Sequence, residues 1–256
     1  QLVAVPTTAG TGSEVTDITV ITDENNQVKI PHQHRLFIPD MAIIDPTLTL
    51  GIPPSITAAT GMDVLTHAVE SYLSLSATPY TRSLAIAAVE LICSNLVPAV
   101  LSNAPQPYLE AMQIASNMAG LAFANSRLGI VHAMALPISA LFGVPHGFAV
   151  GMLLPFGLEF NEPVAAPLVD DLEEAFGVQG LGPADAVRSI LRQLGAPAGL
   201  SEAGVSREEF EAGLDKMVED AMKSGHVKIN PRTITPDDVT GIYRRLFVGA
   251  PGGAAP

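Results

Sequence analysis

The sequence predicts an α/β chain in two unequal parts, a strand-bearing segment over residues 1–49 and an all-helical domain over residues 50–256. Three observations predict it. β-Branched apolar runs ended by turn residues or proline crowd into the first fifty positions. Beyond Pro53-Pro54 apolar residues recur at helical spacing in one stretch after another. Hydrophobic residues make up 48% of the chain and charged residues only 15%, below the roughly 25% usual for globular chains, so there is ample material for a buried core.

The elements follow in order. Leu2-Val3-Ala4-Val5 is a short strand. Ile18-Thr19-Val20-Ile21-Thr22 is β-branched throughout, and Asp23-Glu24-Asn25-Asn26 follows it as a turn. Met41-Ala42-Ile43-Ile44-Asp45-Pro46 is a third strand that stops at its proline, and the three together predict one sheet fragment. Between them Pro31-His32-Gln33-His34-Arg35 reads as a polar loop with no chemistry assigned to its histidines. Helices are expected over Ser55 to Leu73, Thr81 to Leu101, Gln106 to Asn125, His146 to Asn161, Pro183 to Leu194, Ser206 to Ser224 and Pro236 to Phe247. Ser206 with Glu209 three residues on, and Thr235 before Pro236 and Asp237, are start signals. The final GAPGGAAP is expected to fray. No internal repeat is present.

Composition excludes several functions. The net charge is −13, and the 13 lysines and arginines are scattered, so a nucleic-acid partner is not expected. An acidic chain of this kind suits a cytoplasmic protein. Cys93 is the single cysteine, which rules out an intramolecular disulfide and a Cys-rich zinc site; in Leu91-Ile92-Cys93 it reads as a small hydrophobe. The start QLVAVPTTAG has neither the basic region nor the long apolar stretch of a signal peptide. The apolar run from Leu84 to Leu101 contains Glu90, Ser94, Asn95 and Pro98, which favours a buried helix over a membrane span.

The chemistry concentrates in the histidines. Asp63 and His67 stand four apart and share a helix face. A carboxylate and an imidazole buried there need a partner, and a divalent cation is one. His132, in Gly129-Ile130-Val131-His132, and His146, in Pro145-His146-Gly147, both lie in apolar surroundings. Each alone reads more readily as a satisfied core histidine than as a ligand. Together with Asp63 and His67 they supply three imidazoles and a carboxylate, a donor set that suits iron and zinc alike.

The D-x3-H helix, then G-x-x-H, then P-H-G with its histidine fourteen residues later, resembles the signature of the iron-containing (group III) alcohol dehydrogenases, which have a dehydroquinate synthase-like fold. Pro6 to Thr16 (PTTAGTGSEVT), ITDENNQVKIP, IPDMAIIDP, PPSITAATGMD, NSRLGIVHAM and Asn230-Pro231-Arg232 match the same family in the same order. The resemblance implies that residues 1–49 are the C-terminal part of a Rossmann-like nucleotide-binding domain and that 50–256 form the helical, metal-binding catalytic domain. It implies Fe²⁺, with Zn²⁺ as the alternative, on Asp63, His67, His132 and His146. It implies NAD or NADP, contacted by Thr7, Thr8, Gly10, Thr11, Ser13 and Lys29, with Gly10 and Gly12 allowing close backbone approach. A polar glycine turn and a solvated lysine are the plain alternatives for this loop and for Lys29. Phe123 resembles a substrate-pocket wall, with core packing as the alternative. His226 is either a pocket group or a surface-loop histidine.

Against the family pattern, the early strands and the Gly-Gly-Gly-Ser stretch that cradles pyrophosphate are expected to be missing before Gln1. Leu136 stands where many relatives carry a further histidine. The expected activity is hydride transfer between the nicotinamide and a small alcohol or aldehyde, in a homo-oligomer with no membrane partner. A maleylacetate reductase-type enzyme of the same fold, and a non-catalytic metal-binding module, are the alternatives. A hydrolytic zinc site would need a base beside the metal, for which Glu70 is the candidate.

Overall fold

The computed structural model describes residues 1–102, 105–178 and 180–249; all of the GAPGGAAP tail after Gly249 lies outside them. The first part forms two small sheets where one was expected. β1 (Val3–Ala4) pairs in parallel with β4 (Met41–Ala42), and β2 (Ile18–Asp23) pairs antiparallel with β3 (Val28–Gln33). The Asp23 turn closes this hairpin, its carboxylate accepting the Asn25 and Asn26 backbone N–H groups. β3 contradicts the loop reading of Pro31 to Arg35. Pro31 and His32 sit in the strand opposite Val20 and Thr19, and a proline is tolerated because the hairpin has an open edge. His34 caps a 3-10 turn instead, accepting the Leu36 N–H at 3.2 Å.

The rest is helical. α1 (Pro54–Leu73), α2 (Pro79–Leu101), α3 (Gln106–Ser126), α4 (Ile130–Phe142), α5 (His146–Phe176), α6 (Pro183–Gln193), α7 (Arg207–Lys223) and α8 (Pro236–Val248) follow in order. α1 is the central helix. From Thr57 to Leu73 every residue but Thr60 is buried, among α2, α3 and α5. A helix surrounded in this way buries every face and carries little one-sided periodic signal. α2 is long and apolar enough, by length and composition, to cross a membrane; it turns Ala85, Ala88, Val89, Ile92 and Leu96 inward. Cys93 is half-buried against the core, and burial pushes its thiol up to about 12.

The caps at Ser206 and Thr235 are present as reciprocal boxes: the Ser206 hydroxyl accepts the Glu209 N–H, and the Thr235 hydroxyl accepts that of Asp238. Two helices depart from the sequence reading. α5 runs on past Asn161 to Phe176, absorbing Pro163 and Pro167 with a single non-helical residue, Ala165. α4 had no visible start signal, because Gly129 cannot cap it with a side chain.

Candidate metal centre

Three helix segments bring the expected ligands together. Asp63 and His67 sit two and one turns before Glu70 on α1, His132 opens α4 and His146 is the first residue of α5. The Nε2 atoms of His67, His132 and His146 lie 3.7, 3.6 and 3.7 Å from one oxygen, Asp63 Oδ1. The tightest group is Asp63, His132 and His146, whose ligand atoms all lie within 4.8 Å of one another. His67 stands just outside it, stacked between Phe123 and His132 with ring centroids 4.4 and 4.7 Å away.

Gly147 explains how α5 reaches this point. A Cβ there would lie 1.8 Å from the Ala59 carbonyl oxygen, so only glycine lets the start of α5 rest on the backbone of α1. The P-H-G motif is thus a packing device that delivers His146.

The electrostatics are those of a site built around a positive charge. Among the described residues, Asp63 Oδ1 and His132 Nε2 are buried without a hydrogen-bond partner, a condition that suits atoms facing a cation. Burial alone would raise the Asp63 carboxyl, but the three imidazoles hold it far below the usual range. Burial lowers His67 and His146 to about 4. Burial works against the charge on His132 too, but Asp63 and Glu70 outweigh it and raise this group to about 9. Three nitrogens and a carboxylate oxygen, neutral on two imidazoles and unpartnered at the meeting point, fit a divalent transition ion.

The site forms one wall of a cavity of about 890 Å³ between the β2–β3 hairpin and the helical body. Thr11, Ser13 and Lys29 line it from the first part, and Phe123, Leu136 and His226 from the second. Burial lowers the Lys29 ammonium, with Asp63 opposing. His226, one of whose two readings was a surface loop, is half-buried on this wall, and burial with the His132 charge lowers it to about 4. Thr7, Thr8 and Gly10 are not among the lining residues. Gly10 faces α1, where a Cβ would meet Thr60 Cβ at 2.9 Å. Glu70 is no base beside the ion either. Its carboxylate is turned to the start of α4, where it accepts the Val131 N–H at 2.7 Å and lies 2.6 Å from His132 Nδ1. Only its i+3 spacing from His67 hinted at a role in the sequence.

A helical body that gathers three histidines and one aspartate at the edge of a cleft defines a class of proteins with a candidate metal site there. The comparisons narrow the class. Residues 57–247 match the C-terminal region of the Fe-containing alcohol dehydrogenase family, and residues 1–46 match iron-containing alcohol dehydrogenase. The chain belongs to the iron-containing alcohol dehydrogenase family. It is 39% identical over 245 residues to a probable alcohol dehydrogenase, EutG, of Escherichia coli, covering 94% of this chain and 61% of that protein. It is 40% identical over 255 residues to 1,3-propanediol dehydrogenase of Klebsiella pneumoniae, covering 96% and 65%. The crystal structure of a 1,3-propanediol oxidoreductase superposes with a TM-score of 0.88 at 38% identity, over 96% of this chain and 65% of that one. Sulfoacetaldehyde reductase from Bifidobacterium kashiwanohense, solved in complex with NAD+, superposes with a TM-score of 0.86 at 34% identity, over 95% and 64%. The chain thus spans about 61–65% of the length of these relatives.

Proposed function

We propose that this chain carries the metal-holding part of a cytoplasmic, homo-oligomeric alcohol dehydrogenase that moves hydride between NAD or NADP and a small alcohol or aldehyde. The observation that carries this reading is the meeting of Asp63, His67, His132 and His146 around one unpartnered carboxylate oxygen at the wall of a cavity. Fe²⁺ accords with the family, and Zn²⁺ suits the same donors. An ion held there supplies Lewis acidity toward the substrate oxygen, and the nicotinamide carries the hydride.

The chain's own residues bind, orient and exclude water. Asp63, His67, His132 and His146 would hold the ion from three helices whose packing leaves little freedom. Phe123 braces the His67 ring. Leu136, Pro137 and Ile229 give the cavity apolar walls that suit a short carbon chain, and His226 offers a neutral polar edge across from them. The hydroxyls of Thr11 and Ser13 and the charge of Lys29 face the cavity from the hairpin side, where they suit the ribose and phosphates of a dinucleotide. Thr7, Thr8 and Gly10 would act on parts of that molecule outside the cavity. On this reading residues 1–49 belong to a Rossmann-like nucleotide-binding domain and 50–256 to the catalytic domain, and the retained ligand set argues against a maleylacetate reductase-type enzyme.

The test is metal content together with nucleotide titration. Protein purified without oxygen should hold about one iron or zinc ion per chain. The variants Asp63→Ala and His146→Ala should lose it, and with it any alcohol-dependent reduction of NAD. Retention of the metal with no affinity for NAD or NADP would replace the enzyme with a metal-binding module.

A further inference from the structure

We infer that Glu70 is a positioning residue of the metal centre: one buried carboxylate holds the start of α4 and fixes the His132 ring with its proton on Nδ1, which leaves Nε2 free for the ion. The inference rests on the metal-centre reading above and adds a residue to it.

The first N–H groups of any helix have no partner within it, and α4 begins at a glycine that offers no capping side chain. Its orphan donors are met by other elements. Asn230 Oδ1 accepts the Ile130 N–H at 3.4 Å, Glu70 Oε1 accepts the Val131 N–H at 2.7 Å, and Glu70 Oε2 accepts the His132 N–H at 3.2 Å. Asn230 is itself held by reciprocal bonds with Asn161 of 2.7 and 3.1 Å. A side chain at position 129 would destroy the arrangement, since a Cβ there would lie 2.7 Å from Glu70 Oε1 and 2.9 Å from Asn230 Oδ1. The negative carboxylate is also placed where the helix dipole is positive.

The same Oε2 lies 2.6 Å from His132 Nδ1. An ionised carboxylate only accepts, so Nδ1 carries the proton and donates. The Nε2 lone pair then points toward Asp63 Oδ1, 3.6 Å away. Among the described residues, the Nδ1 atoms of His67 and His146 have no hydrogen-bond partner of this kind. Glu70 lies on the same helix as Asp63 and His67, so α1 sets two ligands directly and a third through this carboxylate.

The experiment is zinc competition on the whole chain, with histidine ¹⁵N spectroscopy of the zinc-loaded protein. In the wild type His132 should carry its proton on Nδ1 and bind through Nε2. In Glu70→Gln an amide N–H₂ replaces one acceptor, and whichever oxygen it replaces must face a backbone N–H of α4. Zinc affinity should fall about 10- to 100-fold, as for other outer partners of ligating histidines, with the far-UV helical signal retained. Unchanged affinity in folded Glu70→Gln would overturn the inference, and so would a His132 that binds through Nδ1. If the variant does not fold, the wild-type spectrum decides. A wild-type chain that takes up no zinc would instead refute the metal centre itself.

Discussion

The two parts of this molecule bury their apolar residues very differently. In the helical body α1 is enclosed by three other helices, and Leu65 and Met62 are fully inaccessible. In residues 1–49 Leu2, Val20, Ile21, Phe37 and Met41 are all exposed, and Leu36 is 76% exposed. A parallel pair such as β1–β4 ordinarily has both faces covered, whereas here Val3 and Met41 are exposed and Ala4 and Ala42 only partly buried. The candidate metal centre lies wholly within the well-packed part, while the loop and hairpin proposed to meet a dinucleotide lie in the open one. A ligand set needs positions fixed by close packing, and the helices provide it without help from the strands.

Substitutions should expose that difference. The largest effect is expected at the core: Leu65→Ala should destabilise the chain by about 4 kcal/mol, while Leu36→Ala should stay within about 0.5 kcal/mol, both read from urea unfolding. Equal effects would mean that the strands share the helical core. Gly147→Ala comes next, at about 3 kcal/mol, because its Cβ collides with the Ala59 carbonyl of α1; metal uptake should fail with it. Gly51→Ala, at the junction of the two parts with nothing within 4 Å, should be near neutral by the same measurement.

Smaller effects sharpen how the parts are joined. Arg127 ends α3 with a φ of +64° and clasps Asp17 through bonds of 3.0 and 3.4 Å. Asp17→Ala should destabilise by about 1 kcal/mol, with a smaller effect at high salt. An effect that ignores salt would argue that the clasp is not electrostatic. The smallest change concerns His226. Its folded value of about 4 lies below its ordinary 6.5, so the unfolded chain binds more protons between these values and stability rises with pH across that window. It is complete above 6.5 and declines as the solution is acidified toward 4. His226→Asn should flatten this slope in unfolding midpoints measured from pH 7 to 4.5.

Much of the site was legible because helical spacing is local. Asp63 and His67 announce themselves by a four-residue interval, and the caps at Ser206 and Thr235 need only three neighbours. What stayed hidden depends on residues distant in sequence. α4 has no start signal of its own, since its caps come from Glu70, 61 positions earlier, and Asn230, 100 later. The role of Glu70 was hidden for the same reason. β3 was obscured by Pro31 and His32, which an exposed hairpin edge tolerates. The extension of α5 past Asn161 was obscured by two prolines that the Ala165 kink accommodates. The close approach of Gly10 to Thr60 of α1 was hidden too, because those residues lie fifty positions apart.

The central claim is that four side chains from three helices share one cation. X-ray absorption of the iron- or zinc-loaded chain tests it most directly. The account predicts a first shell dominated by imidazole nitrogen with at least one carboxylate oxygen, at roughly 2.0–2.2 Å, lost in Asp63→Ala. A shell of oxygen alone, unchanged by that substitution, would contradict it.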